Sequence, residues 1–273
     1  MNKKERLDKV EESVIRYMKT HWPSEVRPEW RVADEEYVEI LERVLESFTK
    51  DKTKGRRFFR ICGQSGSGKT SQLLPAVEQW FESRDARPVL VAARLFVPYH
   101  PYAREIEAEY GAENLRRMTD EVSTILMFLT LRELRKEGYD IILDVALLDP
   151  LVERALMQML RANDYDVRMT MVAVAKEISD YLIGQRQGRV VAKSTSEEFW
   201  RATRLALDFF VEEWPDLKLT VWNMWDEAPV FAGAIADGAL AAIEANWRII
   251  DRTLLEDLDS LRLAKINYLK GWE

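Results

Sequence analysis

Gly63-Gln64-Ser65-Gly66-Ser67-Gly68-Lys69-Thr70 stands between a short apolar run, Phe58 to Cys62, and a helical pattern carrying Leu73, Leu74, Val77 and Phe81. The octapeptide fits G-x-x-x-x-G-K-[ST] at every position, and strand, loop and helix follow in the order that motif requires. Glycines let the backbone turn its N–H groups inward around a phosphate, and the helix that follows presents the positive end of its dipole. Lys69 then spans the terminal phosphates as a point charge, and the Thr70 hydroxyl is of the type that ligates magnesium. The expected ligand is ATP (or GTP) with magnesium, on Gly63, Gln64, Ser65, Gly66, Ser67, Gly68, Lys69 and Thr70. Pro75 is expected to remove one backbone hydrogen bond from the exit helix and bend it.

Outward from the loop, short apolar runs alternate with helical patterns, the signature of a parallel sheet wrapped by crossover helices. Five strands are predicted: Phe58 to Cys62, Pro88 to Ala93, Asp140 to Asp144, Met169 to Val174 and Leu217 to Trp222. They lack polar alternation, as strands buried on both faces do. A three-layer α/β sandwich with a mostly parallel five-stranded sheet follows.

Leu115, Met118, Val122, Ile125 and Leu129 recur at helical spacing before Gly138. Asp149-Pro150 and Ser194 with Glu197 read as helix starts. Trp247 to Leu269 reads as a last amphipathic helix with Leu254, Leu258 and Leu261 on one stripe. Residues 3–48 read as two helical pieces broken at His21-Trp22-Pro23 and again at Pro28. The division is an N-terminal helical cap (1–55), a core (56–225) and a C-terminal helical extension packed on it (226–273). The tryptophans toward the C-terminal end, Trp222, Trp225, Trp247 and Trp272, read as core packing.

Composition sets the outer limits. Of 273 residues, 47% are apolar and 32% charged, enough to bury a substantial core, and the net charge of -7 argues against a nucleic-acid partner. The basic run Lys50 to Arg60 reads as a solvated connector, with an anion-docking patch as the alternative. Cys62, the single cysteine, excludes an intrachain disulfide and is expected to be buried. With neither an apolar leader nor a long apolar stretch, the expectation is a cytoplasmic protein without membrane association.

A resemblance enters through residues beyond the loop. Phe96 with His100-Pro101 after the second strand, Glu109-Tyr110-Gly111, Glu137-Gly138-Tyr139 before the third strand and Asn163-Asp164-Tyr165 before the fourth are joined by Val172-Ala173-Val174 and a helix opening at Lys176. In order and spacing, residues 63–222 resemble the zeta-toxin family of kinases. The resemblance implies ATP- and magnesium-dependent phosphorylation of the 3'-hydroxyl of a UDP-linked N-acetyl amino sugar, and restraint by an antitoxin. It carries the family's loop lysine and threonine onto Lys69 and Thr70, and its two lid arginines onto Arg186 and Arg189. A Gln-Arg-Gln-Gly-Arg segment can also close guanidinium forks over a phosphoryl group.

Two departures stand against these matches. Where the family has a catalytic aspartate before Thr-Phe, this chain has Arg94-Leu95-Phe96, and where it has Glu-Gly-Thr, this chain has Asp144-Val145-Ala146. Arginine is no base at neutral pH. Three readings follow: slower transfer with Asp144 orienting the acceptor, a different acceptor whose own anion meets Arg94, or a nucleotide-binding module with little turnover. Asp144 itself reads either as magnesium support or as an acceptor contact. His100 reads as a motif residue or a structural histidine, and Thr119 and Asp120 as pocket residues or helix surface. The substrate is expected to be a small-molecule phosphate acceptor, met by Arg94, His100, Thr119 and Asp144.

Overall fold

The computed structural model describes residues 16, 26–33, 35–64, 66–147, 150–184, 193–250 and 258–272. Its sheet is built from β1 (Arg57–Cys62), β2 (Val89–Val91), β3 (Ile141–Asp144), β4 (Asp166–Val172), β5 (Lys218–Trp222) and β6 (Phe231–Ala234), in the order β2-β3-β1-β4-β5-β6. The first five are parallel, and β6 runs antiparallel to β5, with Val221 opposite Phe231 and Thr220 opposite Ala232. The sheet therefore has one strand more than the five expected. Phe-Ala-Gly-Ala is short, small-residued and partly exposed at the sheet edge, so it carries little strand propensity of its own. Pairing with β5 makes it a strand.

Side chains alternate across β1. Phe58 and Cys62 enter one core with Ile125, Leu156 and Phe210, whereas Phe59 and Ile61 enter another with Leu73, Val77, Trp80 and Phe81. The helices follow this division. On the first side lie α1 (Glu36–Thr49), α5 (Asp120–Glu137), α6 (Pro150–Ala162) and α8 (Lys193–Glu213), and on the second α2 (Leu74–Glu82) packs against α10 (Leu258–Lys270). Shorter helices complete the layers: α3 (Ala103–Tyr110), α4 (Ala112–Met118), α7 (Lys176–Gly184) and α9 (Ala239–Asn246). Burying apolar faces on both sides of a parallel sheet is what the unbroken apolar strands require.

Several local expectations change. Pro75 does not kink a long helix. The chain leaves the phosphate loop in a π-helical turn, Lys69–Leu73, in which the Leu74 N–H donates to the Lys69 carbonyl, and Pro75 then falls in the first turn of α2. There its missing N–H costs nothing. The helix expected through Leu115 and Leu129 is two, broken at Thr119, and α5 ends as foreseen at Gly138 (φ +77°). Of the helix expected from Trp247 to Leu269, residues 247–250 are turn and irregular backbone, and Leu258–Lys270 forms α10. Leu254, Asp149, the side chains of Ser194 and Glu197 and most of the N-terminal pieces, with His21-Trp22-Pro23, lie outside the described residues.

The basic run is only partly a solvated connector. Lys54 is exposed and pairs with Glu137, but Arg57 is bidentate to buried Asp140 (2.8 and 2.7 Å), and Arg60 is completely buried. Arg57 and Arg60 belong to β1, and the strand carries them inside. Cys62 is buried as expected, and desolvation pushes its thiol up to about 12. At the C-terminal end, the Arg168 guanidinium lies 5.1 and 5.3 Å from the rings of Trp80 and Trp272, and the Trp272 carbonyl accepts Trp80 Nε1–H at 2.8 Å. Among the described residues no helix is long and apolar enough to cross a membrane.

Candidate functional site

The loop after β1 has the backbone a phosphate cradle needs. Gly63 (φ +128°) and Gly66 (φ +83°) sit in the left-handed region, and a β-carbon on them would stand 2.6 Å from the carbonyls of Val172 and Ser179 respectively. No other residue fits those two positions without moving the loop. Lys69 folds back over the loop, its Nζ donating to the carbonyls of Gly63 (2.7 Å) and Gln64 (2.8 Å). The Gln64 amide donates to the Val174 carbonyl, which ties the loop to the end of β4. The Ser67 hydroxyl is fully buried in this turn and has no hydrogen-bond partner among the described residues. An unpartnered buried hydroxyl and left-handed glycines are what an anion between them would explain. Ser65 lies outside the described residues.

Sheet order brings two further residues to the cradle. β3 is the parallel neighbour of β1 with Ile61 opposite Asp144, so Asp144 ends its strand beside the loop. β2 flanks β3 with Val91 opposite Leu143, and its short exit turn, Ala93–Leu95, carries Arg94. One oxygen, Oδ2 of Asp144, accepts from both the Thr70 hydroxyl (3.0 Å) and Arg94 Nη1 (2.8 Å). The Asp144 side chain is 1% exposed and that of Arg94 31%, so the pair is a half-open rim over a buried carboxylate. A single hydroxyl with a carboxylate behind it suits magnesium, which keeps most of its own waters and demands no protein cage.

The other residues marked in the sequence lie elsewhere or turn inward. His100 is buried, its Nδ1 accepts the Tyr102 N–H (3.2 Å), and its Nε2 has no partner among the described residues. Desolvation lowers its pKa to about 4 against the opposing pull of Glu36 and Glu105, so it is neutral at physiological pH. Thr119 is buried, and its hydroxyl donates to the Leu115 carbonyl (2.9 Å). Asp120 opens α5 on the exposed surface of that helix. Arg186 and Arg189 lie outside the described residues.

Two features of the site were not anticipated. Arg60 Nη2 donates to the Ala146 carbonyl (3.2 Å) and to Glu153 of α6, both side chains wholly buried, so an internal ion pair supports the loop that follows Asp144. The signal was present, since an arginine inside Phe-Phe-Arg-Ile-Cys needs a buried partner once that run is read as a central strand. Met224, in the loop after β5, leans on the cradle, its Cε 3.0 Å from where a β-carbon on Gly68 would be. Asn223 Oδ1 shapes that loop by accepting the N–H groups of Trp225 (3.1 Å) and Asp226 (2.7 Å). Lys265 of α10 donates to the Asp226 carbonyl (3.0 Å), and burial lowers its amino group to about 8. No local motif announces these contacts.

Comparison with known proteins agrees with this geometry. The zeta toxin family model matches residues 43–235. Toxin PezT of Streptococcus pneumoniae serotype 4 is 25% identical over 172 residues, covering 59% of this chain and 66% of that protein. Toxin zeta of Streptococcus agalactiae is 28% identical over 151 residues, covering 55% of this chain and 50% of that protein. The match thus spans about two thirds and one half of these relatives. A solved structure from the PezAT chromosomal toxin-antitoxin system of Streptococcus pneumoniae superposes with a TM-score of 0.63 over 89% of this chain and 99% of that one, at 17% identity. At that identity the likeness is one of fold.

Proposed function

Because the chain belongs to the zeta toxin family, we propose that it is an ATP-dependent phosphotransferase acting on a hydroxyl of a small molecule such as a UDP-linked amino sugar, with altered acceptor chemistry. The observation that carries the reading is the hydrogen bond from Thr70 in a complete phosphate cradle to Asp144 at the end of the adjoining strand. That bond turns the hydroxyl's lone pairs away from Asp144, toward the position a metal on the phosphates takes, and so favours Asp144 as magnesium support.

The residues divide the work. The loop backbone from Gly63 to Thr70 surrounds the phosphates, and Lys69, once it leaves the two carbonyls it now contacts, supplies charge to the transferring group. Magnesium would be held by Thr70, oriented by Asp144, and when bound neutralises charge on the phosphate oxygens. Arg186 and Arg189 are assigned to the transferring phosphoryl group by family likeness. Arg94 stands where the family's aspartate would accept the acceptor proton, so transfer runs on positioning and electrostatics without the roughly 10²–10⁴-fold that a general base contributes. Loss of that factor slows transfer without abolishing it. The antitoxin association of the PezAT relative extends to this chain as a proposal for its protein partner.

A second reading has its own observation. Arg94 already engages Asp144, the remaining carboxylate of the pair, which suits a module that binds nucleotide with little turnover. Phosphate transfer from γ-labelled ATP with magnesium into UDP-sugars, nucleosides and related hydroxyl compounds separates the two, with Lys69→Ala as control. A labelled product absent from the control supports the kinase, and nucleotide binding without labelled product overturns it in favour of the module.

A further inference from the structure

Resting on the nucleotide reading above, we propose that Arg94 is a built-in counter-cation of the phosphate site, through which this chain retains a nucleoside triphosphate when magnesium is withdrawn. Arg94 Nη1 and the Thr70 hydroxyl meet on the same oxygen of Asp144, at 2.8 and 3.0 Å. The guanidinium charge therefore stands within one carboxylate of the hydroxyl that would ligate the metal. Asp144 is buried and Arg94 is nearly a third exposed, so the pair is open on the arginine's side.

Arg94 makes that single contact among the described residues, using one of five N–H donors. Among the described residues the rest of the fork is uncommitted. An uncommitted, partly exposed fork beside a phosphate cradle is a bidentate anion binder in waiting. Its charge also offsets that of Asp144, which reduces the field available to attract a divalent cation. Both effects act in the same direction: magnesium adds less to triphosphate binding than it would with a neutral residue at position 94.

The position in the fold fixes this arrangement. β2 is only three residues long and turns at Ala93–Leu95, which sets Arg94 at the height of Asp144 rather than a turn beyond it. Phe96, wholly buried and packed against Phe48 with ring centroids 5.2 Å apart at a 42° tilt, anchors the exit from that turn. The arginine is thus held from below by packing and leaves its charged end at the rim.

The test is the dissociation constant of ATP for the full chain, in excess magnesium and in EDTA, for wild type, Arg94→Ala and Arg94→Lys. Charge-assisted hydrogen bonds of this kind correspond to roughly 10- to 100-fold in affinity. Wild type is expected to weaken by less than roughly tenfold on metal removal, Arg94→Ala by roughly a hundredfold, and Arg94→Lys, which keeps the charge but not the fork, to fall between them. Thermal unfolding without nucleotide confirms that each variant is folded before its affinity is compared. A wild type that loses ATP in EDTA as steeply as Arg94→Ala overturns this inference and leaves the kinase reading standing. No ATP binding in either buffer overturns both.

Discussion

The phosphate loop and the rim formed by the ends of β2 and β3 meet at the hydrogen bond from Thr70 to Asp144, yet they are built on different terms. The loop is eight consecutive residues whose left-handed glycines, folded-back lysine and Ser67, unpartnered among the described residues, explain one another. The rim is assembled from distant segments: Arg94 after β2, Asp144 at the end of β3, and the Arg60–Glu153 pair beneath Ala146. The loop matches the phosphate-binding motif at every position, whereas the rim sets a cation, Arg94, on the buried carboxylate of Asp144. Nucleotide handling and acceptor handling can therefore diverge separately in this fold, because one is local and the other is the sum of several contacts.

Removing the rim's support has the largest expected effect on stability. Arg60→Met removes the guanidinium that meets buried Glu153 and is expected to cost about 3–5 kcal/mol in a urea denaturation, because a buried ion pair is broken from one side. The double variant Arg60→Met with Glu153→Leu is expected to recover most of that loss. A single variant as stable as wild type would show that the pair does not hold the loop after Asp144. Breaking the cradle is expected to cost less stability and more function. Gly63→Ala drives a methyl against the Val172 carbonyl and forces a left-handed alanine, about 1–3 kcal/mol of strain, and nucleotide affinity is expected to fall with it. Unchanged ATP affinity in that variant would mean that the loop relaxes and the comparison between local and assembled sites is misplaced.

A third effect appears only in acid. His100 is buried and neutral in the folded chain, with a pKa of about 4, whereas the unfolded chain takes up that proton near 6.5. The folded state binds fewer protons between those values, so this group's contribution to stability is complete above pH 6.5 and is lost as pH falls toward 4. About 3 kcal/mol of acid sensitivity in that window is expected to disappear in His100→Gln, read as the difference between the two stability–pH curves. Parallel curves would place the histidine in contact with water.

Legibility followed the same division. Phe58-Phe59-Arg60-Ile61-Cys62 and the glycines after it are contiguous, so strand, turn and phosphate chemistry could be read from them directly. The parallel order of the first five strands was implied by alternation with helices, but β6 was not, because Phe231–Ala234 has no strand character apart from β5. The basic run misled for a related reason. Lys54 and Arg60 look alike in composition, and only the strand register puts one in solvent and the other in the core. The pairing of Arg94 with Asp144 joins residues 50 positions apart, and the loop at Met224 reaches the cradle from beyond β5. Contacts of that kind exist only after the chain has folded.

The claim that the rim, and not the cradle, sets this chain apart comes down to one charge. Its most direct measurement is the initial rate of phosphate transfer from ATP with saturating magnesium to a UDP-linked N-acetyl amino sugar, for wild type and Arg94→Asp. The account expects the variant to gain at least roughly tenfold, as part of the 10²–10⁴ that a general base supplies, with ATP affinity under those conditions changed only slightly. Unaltered or slower transfer by a folded, ATP-binding Arg94→Asp would contradict it.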